Sequence, residues 1–274
     1  MIRSLPLKVA IVLLIVVQAS QLVAAEQDDA EKRRAEYKNE KNGPKGECDT
    51  EWQQLERGLH YRAITCLGGK ETDMHLVRVD PELWKLDTAL AGRGTAGGIA
   101  REKDAVFAIN ANFFGQGREA LGLVVRSSKQ VQSPRQSSWQ SIFMVTEDGR
   151  AKITMPANWS EQKSEARMAV QAGPRLVING HTNRVHQSYK AARCGVCIEK
   201  SGKVIFFATP SSRQLDMYEI ARIARRGAED GGMHCRDAML FDGGHSTQLY
   251  LSTEKKDLSI TGDSVPVLIY GKRD

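Results

Sequence analysis

The stretch AMLFDGGHSTQLYL, residues 238–251, decides how this chain is read. Ala238, Met239, Leu240 and Phe241 make an apolar run short enough for a buried strand. Asp242 follows where that strand would leave the core. Gly243 and Gly244 permit backbone angles that other residues avoid, so their N–H groups can approach a ligand. His245, Ser246 and Thr247 add a titratable ring and two hydroxyls, and Leu249 to Leu251 begin a second strand. A β-hairpin with an Asp-Gly turn is the plain alternative. The crowding of Asp, His, Ser and Thr favours a site, because functional side chains gather on loops held by rigid strands.

Working outward, a second apolar strand, Ala105 to Asn110, runs into Asn110-Ala111-Asn112-Phe113-Phe114-Gly115. Two amides supply donors and acceptors, and two aromatics supply an apolar wall, a combination suited to a sugar ring. Alternation predicts further strands at Leu59–Thr65, Met74–Val79, Leu83–Leu90, Leu121–Arg126, Ser141–Thr146 and Ala151–Met155. Others are expected at Gly195–Glu199, Val204–Thr209 and Val265–Tyr270. The clearest helix spans Leu215 to Ala228, with apolar residues on one broad face, and a short one is expected near Ile99–Asp104. Ala172-Gly173-Pro174 fixes a bend before another strand. Arg193, at a strand entrance, has the forked donors that match a phosphate.

Several other chemistries are disfavoured. The Gly92–Gly98 segment lacks the ending of a phosphate loop and the strand–helix context of a dinucleotide fold, so no cofactor is expected. His181 and His186 lack a third nearby ligand, so no metal is expected either. Of the five cysteines (48, 66, 194, 197 and 235), one at least is unpaired within the chain. Cys194 and Cys197 have redox spacing but sit in a strand-like context, where positions three apart face opposite sides. They read as structural, with Cys48–Cys66 one plausible bridge. The formal charge of +6 is dispersed, which gives no reason to invoke nucleic acid.

Residues 1–25 read as an export signal, with Arg3 and Lys8 ahead of the nine-residue run VAIVLLIVV and small residues before Glu26. Removing that leader takes the charge from +6 to +4. An uncleaved anchor is the alternative, and the leader is the only membrane contact expected. Residues 26–50 are charged and poor in apolar side chains, as a linker is. Residues 51–274 are left as one folded domain in the periplasm or outside the cell.

The ordered set Asn110-Ala111-Asn112-Phe113-Phe114, Leu121-Gly122-Leu123, Ala172-Gly173-Pro174-Arg175-Leu176, Arg193-Cys194-Gly195-Val196 and Leu240 through Thr247 resembles the phosphodiester glycosidase domain family. The resemblance covers about Leu59 to Tyr270. His245 stands where the family commonly has a third glycine, and NANFF replaces its usual N-G-G-F-F, so the chain looks more like the bacterial branch than the lysosomal one. The resemblance implies an α+β domain with a mixed, curved β-sheet and a few packing helices. It also implies hydrolysis of a sugar-1-phosphodiester in envelope or extracellular glycans, such as an exopolysaccharide.

On that reading Asp242 is the catalytic carboxylate, as base or nucleophile, and His245 transfers a proton. Arg193, the Gly243 and Gly244 N–H groups and Ser246 receive the phosphate. Asn110, Asn112 and Thr247 complete the substrate contacts. Glycosidases usually use two carboxylates, and Glu119 and Glu219 are the candidates for the second. Two other readings remain: a non-catalytic module binding anionic polysaccharide, and a metal-dependent hydrolase in which His245 or His181 joins Asp242.

Overall fold

The computed structural model describes residues 51–65, 74–185 and 189–273. The expected leader and linker, the Cys48–Cys66 bridge and His186 lie outside the described residues. Eight strands form the largest sheet, in the order β1 (Gln53–Glu56), β2 (Leu59–Ile64), β3 (Met74–Val79), β14 (Val204–Ala208), β13 (Cys194–Glu199), β15 (Cys235–Leu240), β11 (Arg175–Ile178) and β12 (His181–Thr182). A five-stranded sheet runs β7 (Lys129–Gln132), β6 (Val124–Arg126), β10 (Ala166–Ala172), β8 (Ser141–Thr146) and β9 (Ala151–Thr154). Another five-stranded sheet runs β17 (Lys256–Ile260), β16 (Leu249–Thr253), β5 (Phe107–Asn110), β18 (Val265–Arg273) and β4 (Trp84–Gly94).

The three sheets enclose one core. Their meeting point is aromatic: Phe206 of the large sheet lies 5.5 Å from Phe107 and 6.0 Å from Phe143, ring centre to ring centre, one from each smaller sheet. Strand β13 is buried on both sides, as its nearly continuous apolar run requires. Cys194, Val196 and Ile198 face this central core, while Cys197 faces a second one beneath the helix α3 (Met217–Arg225). That helix begins where sequence supplies a full capping box. The Asp216 carboxylate accepts from the Tyr218 and Glu219 amides, and Glu219 accepts from the Asp216 amide. The short α1 (Ala96–Glu102) covers the outer face of the β4–β5–β18 sheet, and Trp159, opening α2 (Trp159–Gln162), packs on the outer face of the β6–β10–β8 sheet.

The predicted strands and both predicted helices are present, with ends shifted by a few residues. The fold is more strand-rich than expected, with few helices. The mixed single sheet is corrected: three sheets are present, and every strand pair among the described residues is antiparallel. Strand periodicity reports burial but not the direction of a neighbour. Among the described residues no helix is long and apolar enough to cross a membrane.

Candidate active site

The Asp242 loop is not a hairpin. Strand β15, before it, belongs to the large sheet, and β16, after it, pairs with β5 and β17 in another. The chain changes sheets at the glycines. Backbone bonds hold the crossing on both sides: Phe241 N–H donates to Cys194 O at 2.9 Å and Asp242 N–H to Ala111 O at 2.9 Å. A 3₁₀ turn, Gly244–Ser246, completes the bend. At Gly243 any Cβ would lie 2.9 Å from Ala192 O, so only glycine lets this backbone pack against the segment that leads into β13.

Asn110 is the clamp of this joint. Its side chain is fully buried, donates to Asp242 O at 2.6 Å and accepts from Gln248 N–H at 2.9 Å. Both ends of the amide are therefore spent on the two ends of the loop. The buried Cys194 thiol lies 3.1 Å from the same Asp242 carbonyl and 3.2 Å from Asn110 Oδ1. Burial pushes its pKa far up, which removes it from nucleophilic chemistry.

The Asp242 side chain reaches a cleft of about 450 Å³. Phe113, Phe114 and Leu121 form apolar wall, and the segment Arg135, Gln136, Ser137, Trp139 and Gln140 forms the rest. The Asp242 carboxyl is pushed up to about 6, chiefly by burial, against hydrogen bonds from the Ser246 hydroxyl and the Gly243 N–H that favour ionisation. A carboxyl so placed changes charge near neutral pH, as acid–base catalysis requires.

The other expected residues divide. Phe113, Phe114 and Asp242 meet in the cleft, and Ser246 touches the carboxylate. Arg193 lies behind the loop, 5 % exposed, its Nη1 3.8 Å from where a Gly243 Cβ would be. Its Nε donates to Leu215 O at 2.9 Å and its Nη2 to Tyr189 O at 2.6 Å. Asn110 and Asn112 do not line the cleft as expected. Asn112 is buried and donates to Leu123 O at 3.0 Å, so these amides hold backbone together instead. Thr247 is likewise buried.

The expected pair of phosphate-binding amides is also otherwise engaged. Gly244 N–H donates to Ala192 O at 2.8 Å, and Gly243 N–H is turned to the Asp242 carboxylate. The His245 ring is exposed and is not among the residues lining the cleft. Glu219 is used in the helix cap and in an ion pair with Lys190 at 3.1 Å, and Glu119 is exposed beside Gly115 and Gly117. Among the described residues Asp242 is the one carboxylate lining the cleft. His181 sits exposed on the edge strand β12, and no three His, Cys, Asp or Glu side chains of the described residues gather as a metal-binding group.

Sequence reasoning missed the Arg135–Gln140 wall. Its polar composition reads as an ordinary loop, and the clue is Gln171, which with Arg167 is one of two polar residues in a strand whose other members are apolar.

A family model for phosphodiester glycosidases matches residues 103–270, more than half of the chain. No match is found among curated proteins. The fold is similar to the zebrafish N-acetylglucosamine-1-phosphodiester alpha-N-acetylglucosaminidase catalytic domain, solved auto-inhibited by its pro-peptide, with a TM-score of 0.62 and 14% identity over 82% of this chain and 88% of that one. It is also similar to a hypothetical protein from Synechocystis, with a TM-score of 0.57 and 15% identity over 79% of this chain. The match spans 62% of that Synechocystis chain. At such identities the likeness concerns the fold.

Proposed function

The chain belongs to the phosphodiester glycosidase family, and from that premise we propose that it is an exported hydrolase that cleaves the glycosidic bond of a sugar-1-phosphodiester. The substrate class is an envelope or extracellular glycan. The observation that carries this reading is the Asp242 carboxyl in its cleft, raised to about 6 by burial beside an apolar wall.

In the reaction the bond between the anomeric carbon and the phosphate oxygen breaks. Its electron pair leaves with the phosphate, which departs as a phosphomonoester. Water supplies the new oxygen at the anomeric carbon, and one of its protons is taken up at the site. Asp242 in its ionised form serves the sugar side, either removing that proton directly or first forming a glycosyl ester that water then opens. A phosphate ester is already a good leaving group. One carboxylate can therefore serve where ordinary glycosidases use two. Ser246 orients the carboxylate, and Arg193 adds positive charge behind the glycine turn. Asn110 supports the loop, Asn112 holds the Leu123 carbonyl and Thr247 is buried, so none of the three is assigned to the substrate.

Export fits the leader-like residues 1–25 and the Cys197–Cys235 disulfide, because such bonds persist in oxidising compartments. The single cleft carboxylate also favours one other reading, a module that binds anionic polysaccharide without cleaving it. Purified protein incubated with a panel of sugar-1-phosphodiesters separates the two. Sugar release that disappears in Asp242→Asn supports hydrolysis. Retention of anionic glycan with no release supports binding alone.

A further inference from the structure

The 135–140 wall of the cleft is a loop held in place by a buried side chain. Gln171 of β10 is fully buried and makes four hydrogen bonds. Its Oε1 accepts from Leu123 N–H at 3.0 Å and Arg135 N–H at 2.9 Å. Its Nε2 donates to Arg135 O at 2.7 Å and Gln140 Oε1 at 3.0 Å. This exhausts the amide's donors and pairs its acceptor twice. Three of the four bonds go to the two ends of the 135–140 segment. Gly173 completes the seat: a Cβ there would stand 2.8 Å from Trp139 O and 3.0 Å from Gln140 Cα.

The backbone of Arg135 is thus fixed on both its amide and carbonyl sides, while its side chain is exposed at the cleft. Among the described residues its guanidinium makes no hydrogen bond or ion pair. Trp139 is 54% exposed, and its ring stands edge-on to Phe113 at 5.6 Å and 60°. A large aromatic left this open, on a rigidly seated loop, is a ready face for the apolar side of a sugar ring. The cleft therefore holds one unengaged cation and one aromatic platform beside Asp242. Arg193, by contrast, is nearly buried and tied to two backbone carbonyls.

We infer that Arg135 is the residue that grips the phosphodiester anion and Trp139 the face on which the sugar stacks, with Gln171 the buried positioning residue that sets both. This rests on the proposed substrate class but not on turnover. The planar fork of arginine matches two phosphate oxygens at once. Asp242 is the one carboxylate of the described residues lining the cleft, and no ion pair ties the Arg135 guanidinium to it, so that charge is open to an entering anion.

Calorimetric binding of the methyl phosphodiesters of glucose 1-phosphate and N-acetylglucosamine 1-phosphate tests this in Asp242→Asn, where no cleavage interferes. Adding Arg135→Gln is expected to weaken binding about 10- to 100-fold, the size of a lost charged hydrogen bond. Arg135→Lys should recover only part of it, and Trp139→Ala should weaken binding separately. Both residues are exposed, so circular dichroism should show an unchanged fold. Wild-type affinity in the Arg135→Gln protein, or no diester bound by any variant, overturns the inference. Hydrolysis by the otherwise unaltered protein is assayed alongside. Binding that depends on Arg135 with no sugar released keeps the subsite and removes the hydrolase reading. Sugar release that is indifferent to Arg135 does the reverse.

Discussion

Asp242 is a residue whose environment opposes its charge. Its carboxyl is ordinarily half-ionised at 3.8 and here near 6, because burial disfavours the anion. Activity that needs the carboxylate should rise as pH passes through about 6 and level off above it. Asp242→Asn should lower kcat by about 10²–10⁴-fold, the range of general acid–base catalysis. The same shift has a stability side. A carboxyl with a raised folded-state pKa contributes its stability fully below 3.8 and loses it as pH rises through about 6. Asp242→Asn should therefore stabilise the protein at pH 8, by about 3 kcal/mol at most, and change little at pH 3.5. Equal melting shifts at both pH values would disprove this account. Asn110→Ala should act oppositely. It leaves the Gln248 N–H and the Asp242 carbonyl short of their buried partner, at about 1–3 kcal/mol each. His245→Ala should keep most of the activity, since the ring stands outside the cleft lining; a hundredfold loss would return it to a proton-transfer role.

At the scale of elements, the site lies where strands end. β5 delivers Asn110, β13 begins just after Arg193, and β15 delivers Asp242 across a change of sheet. The strands were legible because burial imprints a period on the sequence, and the capped helix α3 because its apolar face repeats. The crossing was not legible. A strand–Asp-Gly–strand pattern has the same local sequence whether its strands pair with each other or with separate sheets, and long-range partners decide between them. The role of Asn110 was misplaced for a related reason: an amide at a strand exit suits a ligand and a backbone carbonyl equally. Asp242 stood out in the sequence because no structural need explains an aspartate with a glycine turn and hydroxyls at the end of a buried strand, and the structure places it in the cleft lining. Strand β10 carries its own prediction. Gln171→Leu removes every bond that seats the 135–140 loop, so KM for a sugar phosphodiester should rise at least tenfold, by the loss of a charged contact, with kcat less affected. A merely structural role would lower the active fraction, and kcat with it, while leaving KM alone.

For the whole molecule, three sheets share one core, and the disulfide between Cys197 and Cys235 ties two neighbouring strands of the largest, 38 residues apart in sequence. Replacing both cysteines by alanine should cost about 2–4 kcal/mol, read as a lower denaturation midpoint with the diester-binding site unchanged once folded. A midpoint identical to that of the parent protein would show the bond to be dispensable. The seam at residues 241–248 has a consequence for how such a protein can diversify. Asp242 sits on a segment whose backbone is bonded to both sheets that it joins, whereas the 135–140 wall is fastened mainly through one glutamine and one glycine. On the proposed function, exchanging that wall for another of equal length, with Gln171 and Gly173 retained, would alter glycan preference while leaving Asp242 where it is.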